Sequence, residues 1–325
     1  MATFLRTVLV QNRAEAADRT FFEDLPVNPL TQILITLRGV ITAADVANPL
    51  ADIYGCMPNV GVSYRGQDVI RGSLRDLAVV NACITGKVPW GRHVQDGAGE
   101  VWSLTVPLNF GRRPFAVDEA FPAVRRGDLR LDCTVDTVVN NVDLVTLQIE
   151  TVELLDETPA RYLKMTTNQR TFTGTGAEVV RLPIGNPLLG VLLFGTTVPT
   201  GAALTATWEQ LRTKVDNVES LYGSTNWDTL HGEIYRRICG SELKLTDHVH
   251  RFNGAAAAFA STLEPIGPVG ILESYAYLDF DPLGDGAYML ETAGRADVTI
   301  QRDVGTADLG RFVPVELVTV QSAAA

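Results

Sequence analysis

The chain contains the phrase LPVNPL at Leu25–Leu30 and returns to it as LPIGNPL at Leu182–Leu188. The copies begin at residues 25 and 182, so about half of the 325-residue chain separates them. Each copy runs into an apolar segment, and its prolines lie where a strand can begin without losing a hydrogen bond of the sheet. A self-similarity at this spacing is typical of a duplicated domain. We predict two similar β domains in tandem, residues 1–158 and residues 159–325.

The segments that follow the two phrases both have strand patterns. Apolar and polar residues alternate over residues 32–38, whereas residues 188–194 are apolar throughout apart from one glycine. The first pattern predicts a half-exposed strand and the second a buried one. Upstream, Arg19–Phe21 and Arg170–Phe172 share the letters RTF. We interpret these passages as matching early strands of two sandwiches.

A short helix is predicted at the same point in each half. Ser73 is an N-cap residue in front of a helical pattern that ends at Gly86, and Asn226 precedes a similar pattern that ends at Gly240. A capping residue at the start and a glycine at the end are the usual boundary signals of a helix.

The chain returns to strands after each predicted helix. Apolar residues recur at every second position, which is the period of a strand with one buried face. The segments with this period are 102–108, 129–135, 145–149, 276–280, 296–300 and 313–317. The sequence therefore predicts an all-β fold of two tandem eight-stranded jelly rolls (β-sandwiches), each with a short helix between strands.

Composition narrows the classes of function. A net charge of −11 argues against a nucleic-acid groove, which needs clustered positive charge. No apolar run reaches the 18 residues of a membrane helix, and residues 1–10 do not have the pattern of a signal peptide, so we expect synthesis in the cytoplasm without export. Four scattered cysteines without CxxC spacing indicate neither a zinc site nor a disulfide framework.

Several passages resemble phage members of the double jelly-roll major capsid proteins, the lineage that joins adenovirus with tailless, often membrane-containing icosahedral phages. They are similar to strand, loop and strand passages of that family, and they are Leu104–Phe115, Glu119–Ala123, Gly127–Leu131, Gly294–Ile300 and Phe312–Glu316. The resemblance implies a structural protein of the virion, without catalytic, cofactor-binding or metal residues.

The same resemblance implies which partners the chain has. Members of the family form homotrimers whose six jelly rolls have a near-hexagonal outline, and the trimers tile an icosahedral shell. We therefore expect lateral contacts between trimers and contacts with other capsid or vertex proteins, but no direct contact with nucleic acid. Whether a membrane lies beneath the shell stays open.

A bicupin metalloenzyme is the sharpest alternative, since cupins are also duplicated sandwiches. Asp247–His250 has the HxH spacing that places two imidazoles on one face of a strand. No glutamate follows at a short spacing, the first half has only His93, and His231 falls on the predicted helix. We therefore expect histidines of a surface or subunit contact.

A carbohydrate-binding or glycosidase-type double jelly roll is the second alternative. Such a site needs an aromatic platform or paired carboxylates, yet the four tryptophans are spread over separate elements. The acidic residues near one loop faintly resemble a calcium site but lack the later bidentate glutamate, and the prolines and glycines among them predict a turn. These acidic residues are Glu273, Asp279, Asp281 and Asp285.

Two long loops are predicted to contact neighbouring subunits or to form towers on the outer capsid face. They span residues 109–126 and 244–270, and both are long for irregular segments inside a compact domain. Three arginine pairs are interpreted as interface residues or as salt-bridging residues of loops. The pairs are Arg112–Arg113, Arg125–Arg126 and Arg236–Arg237.

Overall fold

The computed structural model consists of two compact units. Unit 1 comprises residues 1–166 and 316–325, and unit 2 comprises residues 167–315. The structure describes residues 3–15, 18–42, 53–92, 99, 101–139, 142–174, 176–200, 202–238 and 269–320.

The named elements of unit 1 lie within its described residues, and the end of the last strand of the chain is added to them. The elements are β1 (Thr3–Ala14), β2 (Arg19–Asp24), β3 (Leu30–Ile41), β4 (Asn59–Tyr64), β5 (Gln67–Gly72), α1 (Leu74–Thr85), β6 (Trp90–Arg92), β7 (Val101–Asn109), β8 (Leu129–Val135), β9 (Val142–Leu155) and β10 (Arg161–Thr166). One sheet has the order β1-β9-β3-β7-β6, and the other has the order β10-β5-β4-β8-β2.

Unit 2 repeats this plan with shorter strands. Its elements are β11 (Asn168–Thr171), β12 (Glu178–Arg181), β13 (Leu188–Gly195), β14 (Gln210–Val215), β15 (Val218–Glu219), β16 (Thr225–Asn226), α2 (Trp227–Ile238), α3 (Val269–Leu272), β17 (Tyr275–Asp279), β18 (Val298–Val304) and β19 (Leu309–Thr319). One sheet contains β11, β19, β13 and β17 in that order, and the other contains β12, β18, β14 and β15, with β16 also paired to β14.

The strand pairing is the same in both units. Without β6, β10 and β16, each unit has eight strands among the described residues. When these eight are numbered 1 to 8 along the chain, the order of strands is 1-8-3-6 in one sheet and 2-7-4-5 in the other, in both units. This is the pairing of a jelly roll, in which two Greek keys form a double sheet. The predicted fold of two tandem jelly rolls is therefore confirmed. Both quoted phrases lead into the third strand of their unit, β3 and β13.

The two helices predicted from the sequence, α1 and α2, begin where their capping residues predict. The Ser73 side chain accepts a hydrogen bond from the Asp76 amide, and Gly86 ends α1 in the left-handed conformation, with a φ of 69°. Asn226 accepts from the Thr229 amide at 2.9 Å and so caps α2. A side-chain oxygen satisfies an amide of the first turn that has no partner within the helix.

The core of each unit lies between its sheets. In unit 2 it includes Trp208, Trp227 and Ile300, all nearly inaccessible to solvent. The predicted difference between the two early strands is also present, because β3 alternates in burial whereas β13 is buried over almost its whole length.

Two details differ from the sequence analysis. Arg19–Phe21 lies in β2, the second strand of unit 1, whereas Arg170 and Thr171 end β11, the first strand of unit 2. The RTF match therefore does not mark equivalent positions. The boundary predicted after residue 158 would assign β10 to the second domain, but β10 pairs with β5 and belongs to unit 1. Its buried residues Leu163 and Met165 extend the core of unit 1.

Candidate assembly surfaces

Three connections meet at one end of unit 1. The amide of Val124 donates to the carbonyl of Val27 at 2.9 Å, and the amide of Arg65 donates to the carbonyl of Asp128 at 2.8 Å. These bonds join the β2–β3 turn, the β4–β5 turn and the β7–β8 loop. The three connections are residues 25–29, 65–66 and 110–128.

The corresponding connections meet in unit 2. The amide of Asp216 donates to the carbonyl of Asp297 at 2.8 Å, in the way that Arg65 does in unit 1. Leu188 and Leu290 exchange two backbone hydrogen bonds of 3.0 Å, and Leu30 and Phe121 exchange two of 2.9 Å in unit 1. The long loop before the seventh strand is thus fastened to the start of the third strand in both units. These connections of unit 2 are residues 182–187, 216–217 and 281–297.

A buried ion pair holds the loop 110–128 in shape. The Glu119 side chain, which is 4% exposed, accepts from the amide and the Nε of Arg112 at 3.0 Å each. Arg161 is 3.5 Å from the same carboxylate. The Phe115 amide donates to Thr31 Oγ1 at 3.0 Å and ties the tip of the loop to β3. Charge-assisted bonds of this kind fix a geometry strongly, so the exposed residues of the loop stand on an ordered backbone.

Apolar and basic side chains are exposed together at this end of unit 1. Val27, Phe115 and Val117 are 43%, 48% and 39% exposed. Phe4, at the start of the edge strand β1, packs edge to face on Phe115 with the ring centroids 5.2 Å apart. The first end surface, as we name it, is Val27, Arg113, Phe115, Val117, Arg125 and Arg126, and all six are exposed.

Unit 2 exposes apolar and acidic side chains at the corresponding end. Ile184, at the position of Val27 in its phrase, is 52% exposed, and Leu283 and Tyr288 are 65% and 56% exposed. Thr292 Oγ1 accepts from the Gly185 amide at 2.9 Å, which links the turn beside Ile184 to the long loop. The second end surface is Ile184, Leu283, Asp285, Tyr288 and Glu291, and all five are exposed.

The two equivalent long loops carry opposite charge. Residues 110–128 contain four arginines and three acidic residues, whereas residues 281–297 contain four acidic residues and one arginine. In the first loop, Glu119 forms an ion pair with Arg112, and Asp128 forms one with Arg65. The exposed charged residues of the loop are therefore mainly Arg113, Arg125 and Arg126. This contrast is present in the composition of the two loops, but it becomes evident only when the structure shows that the loops are equivalent.

Of the four histidine candidates, the structure describes His231 and leaves the other three outside the described residues. Asp247–His250 and His93 lie outside the described residues. His231 has a structural position on α2, since its Nδ1 is 2.6 Å from the carbonyl oxygen of Tyr275 and its ring stacks on Trp227. Among the described residues no group of three His, Cys, Asp or Glu side chains is arranged to hold a metal ion.

Of the acidic residues near 280, Asp279 ends β17, and Asp281 and Asp285 lie in the turn that follows it. Asp281 is 3% exposed, and its carboxylate accepts from the Gly286 amide at 2.8 Å. Asp285 accepts from the Ala287 amide at 2.9 Å. Burial raises the pKa of Asp279, and the neighbouring Arg237 opposes this rise. The carboxylates therefore bond to their own backbone and to an arginine.

The tryptophans and cysteines that the structure describes are mostly core residues. Trp102, Trp208 and Trp227 are almost completely buried, so none of these three contributes to an exposed aromatic platform. The three described cysteines are buried, and burial strongly raises the pKa of the Cys133 thiol. These three are Cys56, Cys83 and Cys133.

The two loops predicted to be comparable have different places in the topology. Residues 109–126 precede the seventh strand of unit 1, and their counterpart is 281–297. Residues 244–270 lie between α2 and β17, so their counterpart is the segment between α1 and β7. Of residues 244–270, only Val269 and Gly270 are described, as the start of α3.

None of the helices that the structure describes is long and apolar enough to cross a membrane.

Comparison with solved structures matches both units at once. The major capsid protein of Sulfolobus turreted icosahedral virus aligns over 99% of this chain and 100% of its own, with a TM-score of 0.65 at 14% identity. The chain has a double jelly-roll fold. The major capsid protein of bacteriophage PM2 aligns over 99% of both chains, with a TM-score of 0.61 at 12% identity. The capsid of the virus PBCV-1 aligns over 99% of this chain and 95% of its own, with a TM-score of 0.63 at 8% identity.

The relationship is visible in the fold alone. No family model matches the sequence, and no curated protein does. This agrees with the nature of the resemblance, which consists of strand and loop passages without a chemical motif.

Proposed function

We propose that this chain is the major capsid protein of an icosahedral virus and that it assembles as homotrimers. The observation that supports this most is the identical strand order of two jelly rolls in one chain. The full-length alignment with capsid proteins of viruses adds to it. The strand and loop passages of the sequence resemble the same class of protein.

The geometry of a flat capsid facet explains why a chain with two similar jelly rolls would be useful. A flat facet is tiled by units with near-hexagonal edges, and three copies of a chain with two similar sandwiches supply six such edges around a closed three-fold axis. Interfaces of such obligate oligomers bury more than about 2,000 Å² and are rich in apolar area. A chain with 46% hydrophobic and 20% charged residues suits interfaces of this kind.

The proposed role places the mature protein in the virion, after synthesis in the host cytoplasm. Its partners are other copies of itself, within and between trimers, and further capsid or vertex proteins. We assign it no catalytic activity, no cofactor and no direct contact with nucleic acid. The net charge of −11 per chain makes lateral contacts between trimers repel weakly, so these contacts tighten with added salt or divalent cations.

Light scattering coupled to size-exclusion chromatography tests the proposal. We expect a particle of three times the 35.2 kDa chain mass at neutral pH and moderate salt, and closed shells in electron micrographs of concentrated protein. A stable monomer under these conditions would refute the trimer and remove the main support of the capsid assignment.

A further inference from the structure

We infer that α1 and α2 protect the sixth strands of their units, β7 and β17, from pairing with a strand of a second copy of the chain. In each unit the helix precedes the sixth strand and packs on it. Side chains of the helices, together with Tyr222 in unit 2, occupy backbone groups at the outer edge of the strand. An open edge of this kind is a template for another chain. The inference concerns each unit by itself and does not rest on the proposed homotrimer.

Equivalent backbone positions can be identified at the ends of the two strands. The amide of Phe110 donates to the carbonyl of Thr31 at 3.0 Å, and the amide of Phe280 donates to the carbonyl of Leu189 at 2.8 Å. Thr31 and Leu189 are the second residues of β3 and β13, the third strands of their units. Phe110 and Phe280 are therefore equivalent, and so are the residues that precede them.

In unit 1 one side chain of α1 occupies the outward groups of β7. Backbone groups of a strand alternate between its two sides, so those of Pro107 and Asn109 point away from β3. Asn81, which is 2% exposed, donates to the Pro107 carbonyl at 2.9 Å and accepts from the Asn109 amide at 3.3 Å. Its carboxamide takes the place of the peptide groups that a neighbouring strand would present.

In unit 2 the equivalent amide belongs to Asp279, and Tyr222 occupies it. The Tyr222 hydroxyl accepts from the Asp279 amide at 3.0 Å and donates to the Asp279 carbonyl at 3.1 Å. On α2, the Nδ1 of His231 is 2.6 Å from the carbonyl oxygen of Tyr275, which points to the same side of β17. Among the described residues β17 is the terminal strand of its sheet, so these contacts cover its outer edge.

The backbone is distorted where it brings Tyr222 to this edge. Tyr222 lies between β15 and β16, where residues 220–224 face only residues 212–213 of β14. Its amide donates to the Ser220 carbonyl at 2.8 Å, and Leu221 between them has a φ of 65°. This is a γ-turn of the strained kind. Such strain persists only where the surrounding contacts impose it, and it is often found at functional positions.

The edge of β17 depends more on its caps than the edge of β7 does. In β7, Pro107 has no N–H to offer, and β6 already pairs with residues 103–105. The position equivalent to Pro107 is Tyr277, which has an N–H. Residues 275–278 of β17 are also buried, uncharged and rich in aromatic side chains. Short segments with these properties pair readily with identical segments of other chains, so the partner of an uncovered edge is a second copy.

Removing the caps while keeping the packing tests the inference. Tyr222→Phe/His231→Phe, the β17 variant, keeps two aromatic rings beside β17 but has neither the hydroxyl nor the imidazole nitrogen. Asn81→Leu keeps a side chain of similar size on α1 but has no carboxamide. Each variant is made in the full chain, and circular dichroism shows whether it is folded.

Hydrogen exchange at single amides measures whether the caps act as inferred. In the β17 variant the Asp279 amide should exchange about 10-fold faster because it loses a hydrogen bond, whereas the Phe280 amide keeps its bond to β13. In Asn81→Leu the same contrast is expected between Asn109 and Phe110. Unchanged exchange at Asp279 and Asn109 would overturn the inference. If the double variant does not fold, Tyr222→Phe alone decides the point at Asp279.

Thioflavin T fluorescence and infrared spectra of incubated protein measure intermolecular sheet. We expect this sheet to form fastest in the β17 variant and more slowly in Asn81→Leu, where Pro107 and β6 still protect β7. Two controls make similar changes elsewhere and should behave as the wild type. Tyr288→Phe removes an exposed hydroxyl of unit 2. Thr85→Val removes the bond from Thr85 Oγ1 to the Asn81 carbonyl, 2.7 Å long, and leaves the Asn81 carboxamide in place.

The controls separate an open edge from a general loss of stability. Controls that form intermolecular sheet as fast as the β17 variant would overturn the inference. Sheet that forms in the variants without faster exchange at the two capped amides would also overturn it. None of these measurements depends on the mass of the wild-type particle, so a failure of the proposed trimer is detected separately by light scattering.

Discussion

Replacing Glu119 by glutamine should loosen the loop that forms the first end surface. The carboxylate is 4% exposed and holds Arg112, which is itself 13% exposed, through the amide and the side chain. Glutamine keeps the shape and one acceptor oxygen but removes the charge. Arg112 is then a largely buried cation without a full counter-charge, and Arg161 loses one of its two acidic neighbours.

The expected loss follows from the burial of this pair. Breaking a buried ion pair by removing one charge costs about 3–5 kcal/mol, and the partial exposure of Arg112 and the retained amide bond place the value near the lower limit, about 3 kcal/mol. With a urea dependence of about 1–3 kcal/mol per molar, the unfolding midpoint of unit 1 should fall by about 1–3 M. The free energy of local opening should fall most within residues 110–128.

Urea unfolding and hydrogen exchange measured by mass spectrometry give the assay. The matched control is Asp118→Asn, the same chemical change one residue earlier. Its side chain is 59% exposed and its pairing with Arg161 at 3.4 Å is a surface contact, worth at most about 1 kcal/mol. Equal effects of Glu119→Gln and Asp118→Asn, or faster exchange outside the loop only, would refute the argument that burial makes the Glu119 pair decisive.

Two further outcomes are expected in unit 2. Thr292→Val should lower the free energy of unfolding by about 1–2 kcal/mol, because the Gly185 amide and the Asn186 carbonyl lose the hydroxyl that joins them. Thr292→Ser keeps both hydrogen bonds and is the control, and an unchanged urea midpoint in the valine variant would contradict this prediction. Acid should also destabilise unit 2 through Asp308: burial raises its pKa, but hydrogen bonds from Thr197 and other donors outweigh this and lower the pKa overall. The unfolded chain then binds more protons, so the contribution is present above about pH 4 and is lost as the pH falls through the folded pKa. Asp308→Asn should make the acid-induced loss of stability shallower, and a slope equal to that of the wild type would count against it.

The sequence by itself determined the local elements. The period of two over residues 129–135 and 145–149 predicted β8 and β9, because a side chain's face in a strand depends only on its position along that strand. Ser73 and Gly86 bounded α1 for a similar reason, since a cap acts on amides and carbonyls a few residues away. The repeated phrase marked the third strand of each unit because its prolines constrain the backbone locally.

Only the tertiary structure decided which elements meet. Strand partners are distant in sequence, and β10 joined unit 1 because its pairing with β5 and its burial act across almost a hundred residues. The shared RTF sequence did not predict equivalent strands for the same reason, because three matching residues do not determine which strand a segment pairs with. The opposite charges of residues 110–128 and 281–297 are legible in the sequence, but they become two comparable surfaces only when the loops are fastened to equivalent strands. Local periodicity determines the conformation of a segment. Which other strands that segment packs against depends on how the whole chain buries its apolar side chains in the core.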